Sequence, residues 1–473
     1  MEVYVPSPHQ SPATLFEQLQ IQLGPPLIVK VTEEGRVSIS LNQTMLVAIF
    51  AEENLILRDP ILKQFFIYIQ SGVWEDITEE RLQHHFEELL RRWAGSLEIY
   101  HLRTDHHLSA LVRLLRGRVE QKNAFEARPA IINLENGVLR VTSHSYALTE
   151  HSPSYYSRNQ SDVRFNSDAK CPQFHAFLDA VMPDKDDQLV VQLLGAQFML
   201  GRNFTQKILI LWGASNTGKS TLMKMLRLMV GRHNMRELRN GQMDGRFESY
   251  AYIDRTLLVG SDVDQDFLSS KGVEVLKKLT GDDFISVERK GCADFKDIMG
   301  NLNVAITANP RLRIKIKGQD DADAWRRRIV IIPFRQPPIA APEDQFAERI
   351  IREEGPGILN WLLDGAMKLM ERLERKMGLP LNTVQRALID DWIDASDSLN
   401  VFVRGLKHQD EADITSDELC HAYQLYCASH GWTAPSTAYR QMRSIVEETH
   451  GTAQSHDIKR GEQVCRGYRG LTT

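Results

Sequence analysis

The first residues that could do chemistry are a lysine and a serine, Lys219 and Ser220, in the run KILILWGASNTGKSTLMKML at residues 207–226. From Gly213 to Ser220 the run fits GxxxxGK[ST] without a mismatch. Glycines at those places let the backbone curl so that its N–H groups and a helix N-terminus face a triphosphate. Lys219 would reach the β and γ phosphates, and Ser220 would offer a hydroxyl to Mg²⁺. Gly213, Ala214, Ser215, Asn216, Thr217, Gly218, Lys219, Ser220 and Thr221 are therefore the candidate nucleotide residues, with ATP as ligand.

Hydrolysis also needs an acid to hold the ion and act on water. RTLLVGSDVD supplies Asp262 and Asp264 after the apolar run Leu257 to Val259, with Ser220 and Asp262 as the metal pair. An acid there falls at the carboxyl edge of a buried sheet, beside the phosphate loop. LNVAITANP ends a further apolar run in Asn309, whose amide can orient the attacking water. Finally, DADAWRRRIVIIPF sets Arg326, Arg327 and Arg328 just before another buried strand. An arginine there can enter a neighbouring subunit's site and stabilise transition-state charge.

These residues need a scaffold. Between Lys207 and Phe334, apolar runs KILIL, TLLVGS, NVAIT and RIVIIPF alternate with helical patterns, which implies a parallel α/β sheet. Upstream, LIVKVTEEGRVSISL reads as strand, TEERLQHHFEELLRRW as helix, and INLENGVLRV as a hairpin turning at Asn136-Gly137. From Pro172 to Leu200 the spacing is helical. After Pro337 and Pro338 the chain is helical again, and GLPL at residues 378–381 reads as a linker. Thr415 and Glu418 form a capping box before LCHAYQLYCASHG, which stops at Gly431. A second helix, TAYRQMRSIVEETHG, and a basic hairpin with Lys459, Arg460, Arg466 and Arg469 complete the order of a winged helix.

The chain has 473 residues, 25% charged and 42% hydrophobic, with a net charge of −5 and five cysteines lacking any CxxC pair. That is the balance of a soluble globular protein of several domains, without a disulfide framework or zinc site. No signal-peptide pattern or membrane-length apolar run is present, so a cytoplasmic location is expected. The acidic balance argues against a basic coat but leaves room for a local nucleic-acid grip. His84-His85 and His106-His107 lack ligand spacing, and Trp74, Trp361 and Trp392 sit in apolar patterns that suit a core.

Taken in order, the four elements resemble the superfamily 3 helicases of the AAA+ class, in the phage, plasmid and poxvirus type of primase-helicase. HSPSYYSRNQSDVRFNSDAKCPQFHAFLDAV, LKKLTGDDFISVERK and EEGPGILNWLLDGAMKL add to that resemblance, which runs from about Ile131 to Thr473. It implies an AAA+ P-loop motor flanked by an α-rich N-terminal region and a C-terminal winged helix. The expected boundaries are an α+β region at 1–130, a helical collar-like domain at 131–204, the ATPase at 205–377 and the winged helix at 378–473. It further implies an ATP-driven hexameric helicase moving 3′ to 5′ on single-stranded DNA or a forked duplex, in replication of a plasmid, phage or mobile element. Asn309 becomes the sensor, and the arginine finger falls on Arg326 or Arg327. Arg289 and Lys290 fall on the DNA-contacting hairpin, and Lys315 and Lys317 are further DNA candidates.

Two departures matter. Both acids are aspartate where many relatives carry a glutamate, which leaves the identity of the base open. No primase domain is evident before about Arg128, so primer synthesis is not expected and a separate primase or polymerase becomes the implied partner. Two rival functions remain: an initiator or loader without processive unwinding, and a nucleotide-gated scaffold.

Overall fold

The computed structural model describes residues 12–473, apart from 96, 126–129, 240, 289–294, 317, 341–342 and 436–437. Its centre is a five-stranded, wholly parallel sheet. We label the strands β1 (Ile208–Gly213), β2 (Met235–Glu237), β3 (Leu257–Val263), β4 (Asn303–Ala308) and β5 (Ile329–Phe334). Their order across the sheet is β2-β3-β4-β1-β5. The four apolar runs expected as strands are all present, and only the short edge strand β2 was not foreseen.

Alternation explains why these strands read as unbroken apolar runs: both faces are covered. In β1, Leu209 and Leu211 enter one core while Ile208 and Ile210 enter the other. The first face is roofed by the helix α1 (Lys219–Val230) and the long helix α3 (Phe346–Glu374), together with two helices that precede the sheet, Pro172–Val181 and Lys185–Leu200. The second face receives Trp325 from α2 (Gln319–Arg328) and Trp392 from α4 (Thr383–Ser396), both fully buried.

These two preceding helices are fastened by buried polar groups as well as packing. Gln197 donates to Asn203 and to Asn303 at 3.0 Å each, while Asn203 donates to the carbonyls of Lys207 and Leu302. This amide network joins the end of helix Lys185–Leu200 to the amino ends of β1 and β4. Glu354 of α3 accepts from the N–H groups of Gln173 and Phe174, at 3.0 and 2.9 Å, and so caps helix Pro172–Val181 from another element. Segment 378–381 is no free linker, because Leu379 is buried in the first core.

Upstream lies a mixed unit. Helices Gln43–Glu53, Glu79–Ala94 and Asp105–Arg118 close a core around Leu46, Phe86 and Leu111. A ribbon (Leu27–Val31 with Val37–Leu41) and a three-stranded antiparallel sheet from Ile56 to Ile77 accompany them. The expected hairpin forms with Leu134 paired to Gly137.

Downstream, Thr415 and Glu418 make the expected capping box on helix Ser416–Ser429. Helix Ala438–His450 follows, then strands Ser455–Arg460 and Gln463–Thr472. Strand Lys407–Thr415 joins the last of these to complete an antiparallel three-stranded sheet. No helix among the described residues is long and apolar enough to cross a membrane.

Candidate active site

Strand β1 gives way to the phosphate loop at Gly213, where its register leaves no room for a side chain. A Cβ on Gly213 would lie 2.3 Å from the carbonyl oxygen of Phe334, the β5 residue paired with it. Gly218 has φ 95°, which favours glycine, and a Cβ there would lie 2.7 Å from Val181 of helix Pro172–Val181. Asn216 takes a left-handed turn at φ 60°, and its carbonyl accepts the Ile339 N–H at 2.8 Å. The segment after β5 therefore drapes onto the loop and holds it.

Helix α1 opens at Lys219, directing its first N–H groups into the loop. The Lys219 side chain is only 3% exposed and its ammonium donates to the Ala214 carbonyl at 2.6 Å. The Thr217 hydroxyl donates to the same oxygen at 2.9 Å. Burial pushes the Lys219 pKa down, and the nearby charge of Asp262 opposes that shift. Ala214, Ser215, Asn216 and Ser220 are exposed at the mouth, with Thr221 half-buried behind them. A loop closed to a Cβ at Gly213 and Gly218, a helix N-terminus and a buried ammonium fit a polyphosphate.

Asp262 is brought to this loop, and Asp264 is not held in the same way. Strand β3 shifts register between Gly260 and Val263, and Asp262 adopts φ 44°. For a residue with a side chain this costs about 1–3 kcal/mol and persists where surrounding contacts impose it. The contact here is Thr307: its hydroxyl accepts the Asp262 N–H at 2.7 Å and lies 3.4 Å from the Asp262 carboxylate. Asp264 instead accepts the Asp266 N–H at 2.9 Å and shapes its own turn. Thr307 escaped the sequence reading because a threonine within an apolar strand looks like ordinary filler.

Asn309 is exposed just past β4, whose Ala308 pairs with Trp212 of β1, so it lies level with the start of the loop. Lys219, Asp262 and Asn309 thus share one edge of the sheet.

The three arginines differ sharply. Arg326 donates to Asp323, Asp390 and Asp394 at 2.9, 3.0 and 3.0 Å. Burial works to lower its pKa, but those carboxylates outweigh it and raise the value. Arg328 donates to the Ala324 carbonyl at 3.2 Å. Arg327 is exposed, and its guanidinium joins no ion pair among the described residues.

Arg289, Lys290 and Lys317 lie outside the described residues. Lys315 is exposed, and its backbone N–H bonds the Leu268 carbonyl at 3.1 Å. The strands Phe284–Glu288 and Phe295–Met299 pair antiparallel and flank the segment holding Arg289 and Lys290.

Two family models match this chain. Residues 43–183 match "D5 N terminal like" and residues 211–328 match a "Family of unknown function (DUF5906)". The two segments are similar to domains typical of phage and plasmid primase-helicases. The first match begins well upstream of Ile131, where the motif resemblance starts, and so takes in much of the N-terminal unit. No curated protein matches. Among solved structures, "The apo structure of NrS-1 C terminal region (305-718)" aligns at 12% identity with a TM-score of 0.47. It covers 90% of this chain and 98% of that one. The A form apo structure of the same region aligns at 13% identity with a TM-score of 0.48 and the same coverage.

Proposed function

We propose that this protein is an ATP-driven DNA helicase of superfamily 3 that works as a ring, a hexamer by resemblance, moving 3′ to 5′ on single-stranded DNA during replication of a phage, plasmid or similar element. The observation that carries this reading is the separation of Arg327 from its own phosphate loop. Phe334 pairs with Gly213 at the carboxyl ends of β5 and β1, whereas Arg327 precedes Ile329 at the amino end. The strand between spans roughly 17 Å, beyond the reach of one arginine side chain. Arg327 therefore serves a nucleotide on a neighbouring subunit if it serves one at all.

In this reading the loop N–H groups and Lys219 hold the triphosphate, and Asn309 orients the water. Asp262, fixed by Thr307, is the acid whose charge acts on Lys219, and the base is one of the pair Asp262 and Asp264. Mg²⁺ held by Ser220 and Asp262 would supply Lewis-acid charge at the phosphates. Arg327 of the neighbour completes the site by stabilising the charge of the transferring phosphoryl group. Sharing sites between subunits lets one hydrolysis event move the hairpin flanking Arg289 and Lys290, with Lys315 and Lys317 as further phosphate contacts. Such contacts do not depend on sequence.

The C-terminal unit, two helices followed by a two-stranded wing, fits a winged helix. Arg460 is paired with Glu418 and Arg469 with Asp457, which leaves exposed Lys459 and Arg466 as the wing's contacts for duplex phosphate.

ATP hydrolysis with and without single-stranded DNA at low salt tests the reading. DNA-stimulated hydrolysis that Lys219→Ala abolishes is expected. Hydrolysis indifferent to DNA would favour a loader, and failure to bind DNA at low salt a nucleotide-gated scaffold.

A further inference from the structure

Helix α4 touches residues beside the phosphate loop, the sensor and Arg327 while contributing nothing to the site directly. Its Trp392 packs edge-on against Trp212, the residue before Gly213, with ring centroids 5.5 Å apart. Ser396 accepts the Ile314 N–H at 3.1 Å, just beyond the sensor loop. Asp391 pairs with Arg311, two residues past Asn309, and also accepts the indole N–H of Trp432 from the C-terminal unit at 2.9 Å. Next to it and one turn on, Asp390 and Asp394 accept from the Nε and Nη2 of the Arg326 guanidinium.

We propose that α4 is the positioning element for the arginine that acts in trans. Asp390 and Asp394 clamp Arg326, which fixes the end of α2 and leaves Arg327 as the arginine presented outward. Through Asp391 the same helix ties that geometry to the sensor loop and to the docked C-terminal unit. The inference rests on the ATPase reading above.

Physically, the clamp matters because a finger gains its effect from a fixed pose. An arginine side chain left to sample its rotamers gives up much of that advantage. Isolated exposed ion pairs contribute little, but Arg326 is 28% exposed and engages three carboxylates at once, a fork geometry that lysine cannot reproduce. Asp390 and Asp394 touch no reacting atom; they act through Arg326 and its neighbour.

The test uses the full chain carrying Asp390→Asn and Asp394→Asn together. Expected is a fall in kcat for ATP of about 10-fold or more, with KM for ATP within about twofold of native and the thermal midpoint close to native. Mixing this variant with Lys219→Ala should restore activity, because one contributes an intact phosphate loop and the other a well-placed arginine. The Asp390→Glu, Asp394→Glu pair should recover much of the loss. If the double variant does not fold, Arg326→Lys reads the same quantity. Native kcat in these variants, or equal losses in kcat and thermal stability without recovery on mixing, would overturn the proposal. A native protein that hydrolyses no ATP would instead overturn the function on which it rests.

Discussion

Thr307 is fully enclosed in an apolar strand, yet its hydroxyl holds Asp262 in a strained turn beside Lys219. Thr307→Val keeps the shape and removes the hydrogen bond, which is worth about 0.5–1.5 kcal/mol. We expect kcat for ATP to fall several-fold with little change in nucleotide affinity, read from steady-state kinetics. Lys219→Ala should cost about 10²–10³-fold in the same assay, since it removes a preorganised donor at the developing charge. The loop residues were legible in the sequence because their chemistry demands glycines and a lysine at fixed spacing. Thr307 was not, because its partner is 45 residues away and only the sheet register brings them together. Likewise, spacing left Arg326 and Arg327 equivalent. The distinction comes from acids on α4, more than 60 residues further along.

At the scale of elements, the parallel-sheet unit is held to its surroundings by a few buried polar caps. Glu354 closes the N-terminus of helix Pro172–Val181, the helix that packs on Gly218. Glu354→Ala leaves two donors unsatisfied and should destabilise the fold by about 2–4 kcal/mol, measured by denaturant unfolding. In the C-terminal unit, the Arg460 hydrogen bond, then the Thr415 N–H, holds the Glu418 carboxyl far below its ordinary 4.5, at about 2. A depressed carboxylate stabilises the fold above its unfolded value, and that contribution is lost as pH falls from 4.5 through about 2. The pair is half exposed, so solvent screening keeps the effect small, on the order of 1 kcal/mol. Unfolding midpoints taken between pH 5 and 2 should show it in the native chain and not in Glu418→Gln. Helix and strand patterns announced most elements, since periodicity is local. Strand β2 did not show, having only three residues and pairing on one side. Strand Lys407–Thr415 is polar and was equally hidden.

Across the whole molecule, the parallel sheet separates the phosphate loop from Arg327 of the same chain. Lys219, Asp262 and Asn309 gather at the carboxyl edge, while Arg327 projects from the opposite end of β5. That division was only partly legible: alternating apolar runs implied a parallel sheet, but the strand order, and with it the distance from loop to finger, is a property of the fold. The most direct test mixes two variants that are each inactive, Lys219→Ala and Arg327→Ala, and measures ATP hydrolysis with single-stranded DNA present. Shared sites predict that the mixture regains part of the native rate, because some interfaces pair an intact loop with an intact arginine. A mixture as inactive as its components, or an Arg327→Ala protein as active as native, would contradict the account.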